Sequence, residues 1–417
     1  MLNNITNFFN LIATRKIKTT TNTSDLLPLG TRDSRYSGCY QPTAILACDL
    51  INQVITCVPT IVVLGTGCCS TVRCGVGNTA SDPYSTAFGS NNTSSNYYST
   101  VSGGSCNTAS SGNSTIGGGR CNIASSSLAI VSGGFQNTAS GYISTVGGGY
   151  IHTASGNYST ISGGKCNIVS GNYSTVGGGR INTASGYYST VSGGYNNTAS
   201  GNSSAILGGV FNRAFGNHST VSGGLNNLAT GRCSVIAGGF CNTASAYGTT
   251  VSGGIVNAAT TNYSTVSGGF CNTASGYFSS ISGGYCNITS GSRSTISGGN
   301  NNTTSGYVSS IVGGRNNVAS ASLSGILGGC GNTASGSGAL ILGGVQNTAS
   351  GPYSAVAGGI FNIACNDRSY IVGSCITTDR VCTTFVNNLS IKNIPTSSAG
   401  LPSGAVWRSG TALQIVP

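Results

Sequence analysis

The chain has 417 residues, 67 of them Gly with one Met and one Trp, and it is dominated by Ser, Thr, Asn, Gly and Ala. Side chains this small cannot fill a wide globular core to normal density, which excludes a large conventional domain and favours a narrow interior repeated along an axis. Basic residues number 17 against six acidic ones, all Asp, and the 284 residues between Asp82 and Asp367 hold seven scattered cations and no acid; charge so dispersed keeps a polar surface solvated and leaves no nucleic-acid footprint.

Residues 1–36 are rich in Thr and Asn, with a basic knot at Arg15, Lys16 and Lys18 behind an apolar patch of Phe8, Phe9, Leu11 and Ile12. That order is the reverse of a secretory signal, so release into a cytosol is expected, with any surface location reached through assembly. The segment reads either as an extended arm that docks on other surface proteins or as a solvated tail. Residues 37–75 carry six cysteines and β-branched runs such as 59–64. Strands that cap a first turn are expected there, because a solenoid needs covered ends. The most apolar stretch, 44–65, is interrupted by Asp49, Asn52, Gln53 and Pro59, so no membrane insertion is expected.

Residues 76–381 are periodic. From Asn92 to Asn362 one position recurs every 15 residues, and 18 of its 19 occupants are Asn, among them Asn107, Asn122 and Asn137, with His152 the exception. Nine residues after each stands Val or Ile, as in Val101, Ile116 and Val131. A Gly-Gly pair follows two residues later in 18 successive repeats, as at Gly103 and Gly104 or Gly133 and Gly134. Residues 186–200 read GYYSTVSGGYNNTAS. Fifteen residues are too few for two helices and suit two short strands and two turns, one coil of a parallel β-roll. The fold expected is all-β, a parallel β-solenoid of about 19 coils at ~4.8 Å each.

Alternation puts Val191 on one face and Thr190 and Ser192 on the other; Asn197 and Ala199 likewise oppose Thr198 and Ser200. The Gly-Gly pair is expected to make a turn through positive φ, and the stacked asparagines to form side-chain amide ladders. Burying one Val yields ~1.5–3 kcal/mol, whereas ordering 15 backbone residues costs ~15 kcal/mol or more, so no coil folds alone. Packing between coils, and lateral association, must supply the rest.

Cys106, Cys121, Cys166, Cys241, Cys271 and Cys286 share one repeat position with Asn, Gln, Phe and Ile, which reads as a small packing thiol rather than a metal ligand. His152 substitutes for a ladder Asn, and His218 shares a position with Tyr158, Tyr173, Tyr188 and Tyr263. Without paired carboxylates, Asp-bearing calcium turns or a glycine loop preceding a helix, no catalytic residue, cofactor or metal is expected. Sequons at Asn113, Asn157, Asn172, Asn202, Asn217 and Asn262 read as sharing one repeat position, either by accident of composition or as a glycosylated surface.

The tandem S-T-V-S-G-G-x-x-N-T-A-S-G resembles the head repeat of trimeric autotransporter adhesins over residues 76–375. That resemblance implies a left-handed β-roll associating as a homotrimer. Residues 382–417 differ from the stalk and barrel of bacterial members: 405–408 and 411–416 read as two strands joined at Ser409 and Gly410. This ending resembles terminal segments of fibre proteins from large DNA viruses and tailed phages. The function expected is a structural fibre or spike subunit on a virion surface, partnered by itself and by a host glycan or receptor. A cellular adhesin anchored by a partner is the alternative. So is an ice-binding solenoid, given the recurrent Thr100, Thr115, Thr145 and Thr160, although Ile130, Ala205, Val235 and Leu340 break that face.

Overall fold

In the computed structural model the described residues are 62–64, 66, 70–73, 76–387, 394–403, 405–409 and 412–415. The N-terminal arm and most of the cysteine-rich segment lie outside them. The chain divides into two compact units, residues 1–179 and 180–417, and both are β-solenoids with no helix among the described residues. The units together contain about 21 coils.

One coil shows why the sequence folds this way. In residues 186–200 the inward positions are Gly186, Ser189, Val191, Asn197 and Ala199, all buried. The strands Thr190–Val191 and Thr198–Ala199 are two residues long. Each lies in parallel register with the residue 15 further on: Val191 opposite Ile206, and Ala199 opposite Ala214. One branched aliphatic and one Ala per coil fill the interior, which is why larger core residues are unnecessary. Ser hydroxyls at the position of Ser189, among them those of Ser114, Ser234, Ser294 and Ser309, donate to the carbonyl three residues earlier, so a small polar group is accommodated beside the core.

The backbone runs its hydrogen bonds in two directions. Strand N–H groups donate to the following coil, as Thr190 to the Ser204 carbonyl at 2.9 Å. Two positions per coil outside the glycine pair adopt left-handed backbone, for example Asn196 (φ 53°) and Ser203 (φ 53°), and their N–H groups donate to the preceding coil. Expectation differed here. Only the second glycine of each pair regularly takes positive φ, and non-glycine residues, including β-branched Ile151 and Val256, occupy two other left-handed positions. Both turns are thus bonded across coils, which holds residues in a region that sterics disfavour.

In the first unit, Val62–Leu64 pairs antiparallel with Thr71–Arg73 and covers the edge of the first coil. The register from Thr79 to Thr93 and from Thr86 to Thr100 is 14 residues, because Gly89 stands alone where later coils have Gly-Gly. In the second unit the final coil is again one residue short at Gly373, and Thr384–Val386 pairs onto Tyr370–Val372. A 15-residue search therefore undercounts both ends. The C-terminal hairpin pairs Val406–Ser409 with Ala412–Ile415, placing Ser409 opposite Ala412 and so in the strand rather than in the turn.

Candidate functional site

The ladder position is a main-chain clamp. Asn107 is fully buried; its Nδ2 donates to the carbonyls of Gly103 and Gly119, each at 3.0 Å, and its Oδ1 accepts the Asn122 N–H at 2.9 Å. Asn122 and Asn137 repeat this set. The expected side-chain-to-side-chain ladder is therefore replaced by amide-to-backbone bonds, with direct amide contacts only in places such as Asn362 to Asn347 at 3.0 Å. An Asn reaching both coils satisfies all its donors and its acceptor, which a stacked amide pair would not.

The glycines divide the work. A Cβ on Gly104 (φ +83°) would stand 2.0 Å from the Gly119 oxygen and 2.7 Å from the Asn107 Nδ2; Gly134 is equally closed. At Gly103 and Gly133 an added Cβ would meet nothing within 4 Å. Val101, Ile116 and Val131 are fully buried.

The positions outside this buried set and the buried Ser, Ala and Gly described above face outward, and in-register stacking turns each into a column. One corner, following the glycines, carries Arg120, Phe135, Tyr150 and Lys165 in the first unit. Phe135 and Tyr150 stack at 5.2 Å, with Arg120 over Phe135 and the Lys165 ammonium 4.9 Å from the Tyr150 centroid. In the second unit the same column reads Tyr195, Val210, Leu225, Phe240, Ile255, Phe270 and Tyr285, joined by successive parallel bridges. Leu225, Phe240, Ile255, Phe270 and Tyr285 are each at least 40% exposed.

The opposite corner carries tyrosines. In the first unit Tyr158 stacks on Tyr173 at 4.7 Å and meets Tyr142 edge-on. In the second, Tyr263 stacks on Phe278 at 4.7 Å, with Tyr247 and Tyr277 steeply inclined to it. Burial and the neighbouring Tyr142 and Tyr173 raise the Tyr158 phenol above its usual pKa; burial and Tyr247 do the same for Tyr263.

The same corner holds a second asparagine ladder that sequence reading missed. Asn157 Oδ1 accepts the Tyr142 N–H at 3.0 Å, Asn172 Oδ1 that of Asn157, and in the second unit Asn202, Asn217 and Asn262 act alike. These are sequon residues, and their 15-residue spacing was the available signal. Asn113 does not belong with them: it lies one position later, in left-handed backbone (φ 56°).

The cysteines also differ from expectation. Cys106 is exposed and Cys121, Cys166, Cys241, Cys271 and Cys286 are half-buried, all at a left-handed corner position rather than in the core. That position tolerates Asn, Phe or Ile because its side chain projects outward. Burial and the adjacent Cys271 thiol push the Cys286 thiol above its usual pKa. Among the described residues no cluster of three or more His, Cys or Asp could hold a metal ion. His218 lies in left-handed backbone of the outer corner. Asp367 and Asp379 each sit beside an adjacent arginine at the surface, Arg368 and Arg380.

With this geometry in place, one comparison bears on the chain. A family model described as the Ubiquitous surface protein adhesin repeat matches residues 189–201 and 264–276. The repeat is adhesin-like. Each matched stretch runs from a buried Ser through the Gly-Gly corner and the ladder Asn to the Thr-Ala strand, so what is shared is the coil-forming core and its turn. No curated protein matches the chain. No helix among the described residues is long and apolar enough to cross a membrane.

Proposed function

We propose that this chain is the subunit of a homotrimeric surface fibre that acts by display and attachment rather than by catalysis. The observation that carries the reading is the apolar column of the second unit, Tyr195 to Tyr285, which a monomer leaves in water across seven successive coils. Contiguous apolar surface of this kind marks an association face. The similarity of residues 189–201 and 264–276 to an adhesin repeat supports an extracellular or cell-surface setting. The resemblance of residues 382–417 to viral fibre termini favours a virion surface, with residues 1–36 as the docking arm. Dispersed charge without paired carboxylates between Asp82 and Asp367 supports a non-enzymatic role.

Sedimentation velocity tests the assembly. The expected species has about three times the 41.4 kDa chain mass, and Leu225→Arg with Phe240→Arg should shift it to smaller species. A stable monomer of the unaltered chain refutes the trimer.

A further inference from the structure

The glycine corner supplies an association face, which leaves the opposite corner of the second unit to be explained. Six residues over coils 227–301 form one surface there: Arg232, Tyr247, Tyr263, Tyr277, Phe278 and Arg293. The Arg232 guanidinium lies 6.0 Å from the Tyr247 centroid. Tyr247 meets Tyr263 at 5.3 Å and 87°, Tyr277 meets Tyr263 at 6.0 Å and 77°, and Tyr263 stacks flat on Phe278. Arg293 closes the row, donating to the Tyr307 hydroxyl at 2.9 Å with its guanidinium over that ring. Gly248 (φ +63°) makes room for the row, since a Cβ there would stand 3.0 Å from the Tyr263 ring. The four rings are each at least 40% exposed.

We propose that this corner binds an acidic polysaccharide, its sugar rings lying across the tyrosine surface and its carboxylates pairing with Arg232 and Arg293. The inference rests on the attachment reading above and names the ligand class. Three features carry it. First, Tyr247 and Tyr277 stand two coils apart, ~9.6 Å, so the aromatic contacts repeat at a fixed interval suited to a regular polymer. Second, the two arginines are four coils apart, ~19 Å, a span for an oligosaccharide rather than a single sugar. Third, no acidic residue lies between Asp82 and Asp367 to compete for the guanidinium groups, and a guanidinium has five donors, of which the Tyr307 contact takes one from Arg293.

Charge density separates this ligand from the other polyanion that stacks on aromatic rings. A nucleic-acid strand carries a phosphate on every nucleotide, so a strand spanning this surface would bring more anions than its two cations can pair. A polysaccharide with one uronate per disaccharide matches two cations across four coils far better.

The test uses the full-length protein and immobilised hyaluronan, with dextran and single-stranded poly-dT as comparison surfaces. Hyaluronan should be retained, dextran and poly-dT should not, and added salt should weaken the binding. Arg232→Gln with Arg293→Gln should weaken it by about tenfold or more, as should Tyr277→Ala, with thermal melts unchanged because these side chains project from the coil. Equal binding by the variants, or equal retention on dextran or poly-dT, overturns the proposal. Sedimentation of the same samples separates the two readings: an intact trimer that ignores hyaluronan overturns this site alone.

Discussion

His152→Asn should stabilise the protein, and the gain can be worked from the neighbouring coils. His152 is fully buried; its N–H donates to Asn137 Oδ1 at 2.9 Å, and its Nδ1 accepts the Asn167 N–H at 3.0 Å. That leaves Nε2 where the amide nitrogen would be, buried and without a hydrogen-bond partner. Its coil is also distorted, since Gly148 takes φ +144° where Gly133 and Gly163, the corresponding first glycines on either side, do not take positive φ. Asn137 and Asn167 each make two bonds from Nδ2 that His152 lacks. At about 0.5–1.5 kcal/mol per net bond, the substitution should gain ~1–3 kcal/mol, or ~2–4 °C in Tm for each kcal/mol.

The pH dependence provides a second readout of the same site. Burial lowers the His152 pKa from 6.5. Above pH 6.5 the imidazole is neutral whether folded or unfolded. As pH falls below that value the unfolded chain takes up a proton that the folded chain refuses, so stability is lost, by up to ~1.4 kcal/mol per pH unit. Melts of both proteins between pH 8 and 5, a range chosen to bracket that value, should diverge on the acid side, with the variant flatter. Parallel curves, or a variant that melts lower at pH 8, would refute the account of the ladder.

Gly194→Ala should be severe and Gly193→Ala mild in the same thermal assay, because a Cβ on Gly194 would meet the Gly209 oxygen at 2.2 Å while one on Gly193 meets nothing within 4 Å. Equal losses would mean that positive φ and coil contact do not set the pair. Val191→Asp should cost several kcal/mol by burying a charge at a fully enclosed position. Thr190→Asp, on the half-buried outer face, should cost under about 1 kcal/mol; chemical denaturation showing similar losses would refute the assignment of faces.

The repeat made the coil legible because its steric demands are local and recur in every coil. A buried branched residue, a small residue two beyond each Asn, and a glycine that no Cβ can replace leave the same signature each time, and Val191 and Ala199 lie where alternation put them. The bonding of Asn107 was not legible: whether an amide faces its neighbour or a carbonyl depends on how the Gly103 and Gly119 oxygens are turned. Nor were the short end coils, because losing one glycine at Gly89 or Gly373 breaks the period without breaking the stack.

The outer columns mark the division most clearly. Sequence by itself determined that residues 15 apart are neighbours, which follows from the period. Tertiary structure decided which way they face, since left-handed backbone at Cys271 or Tyr263 turns the side chain outward and the N–H back to the preceding coil. Residues that look like core filler by composition are therefore surface, and Arg232, Tyr263 and Arg293 become one face only because register stacks their coils.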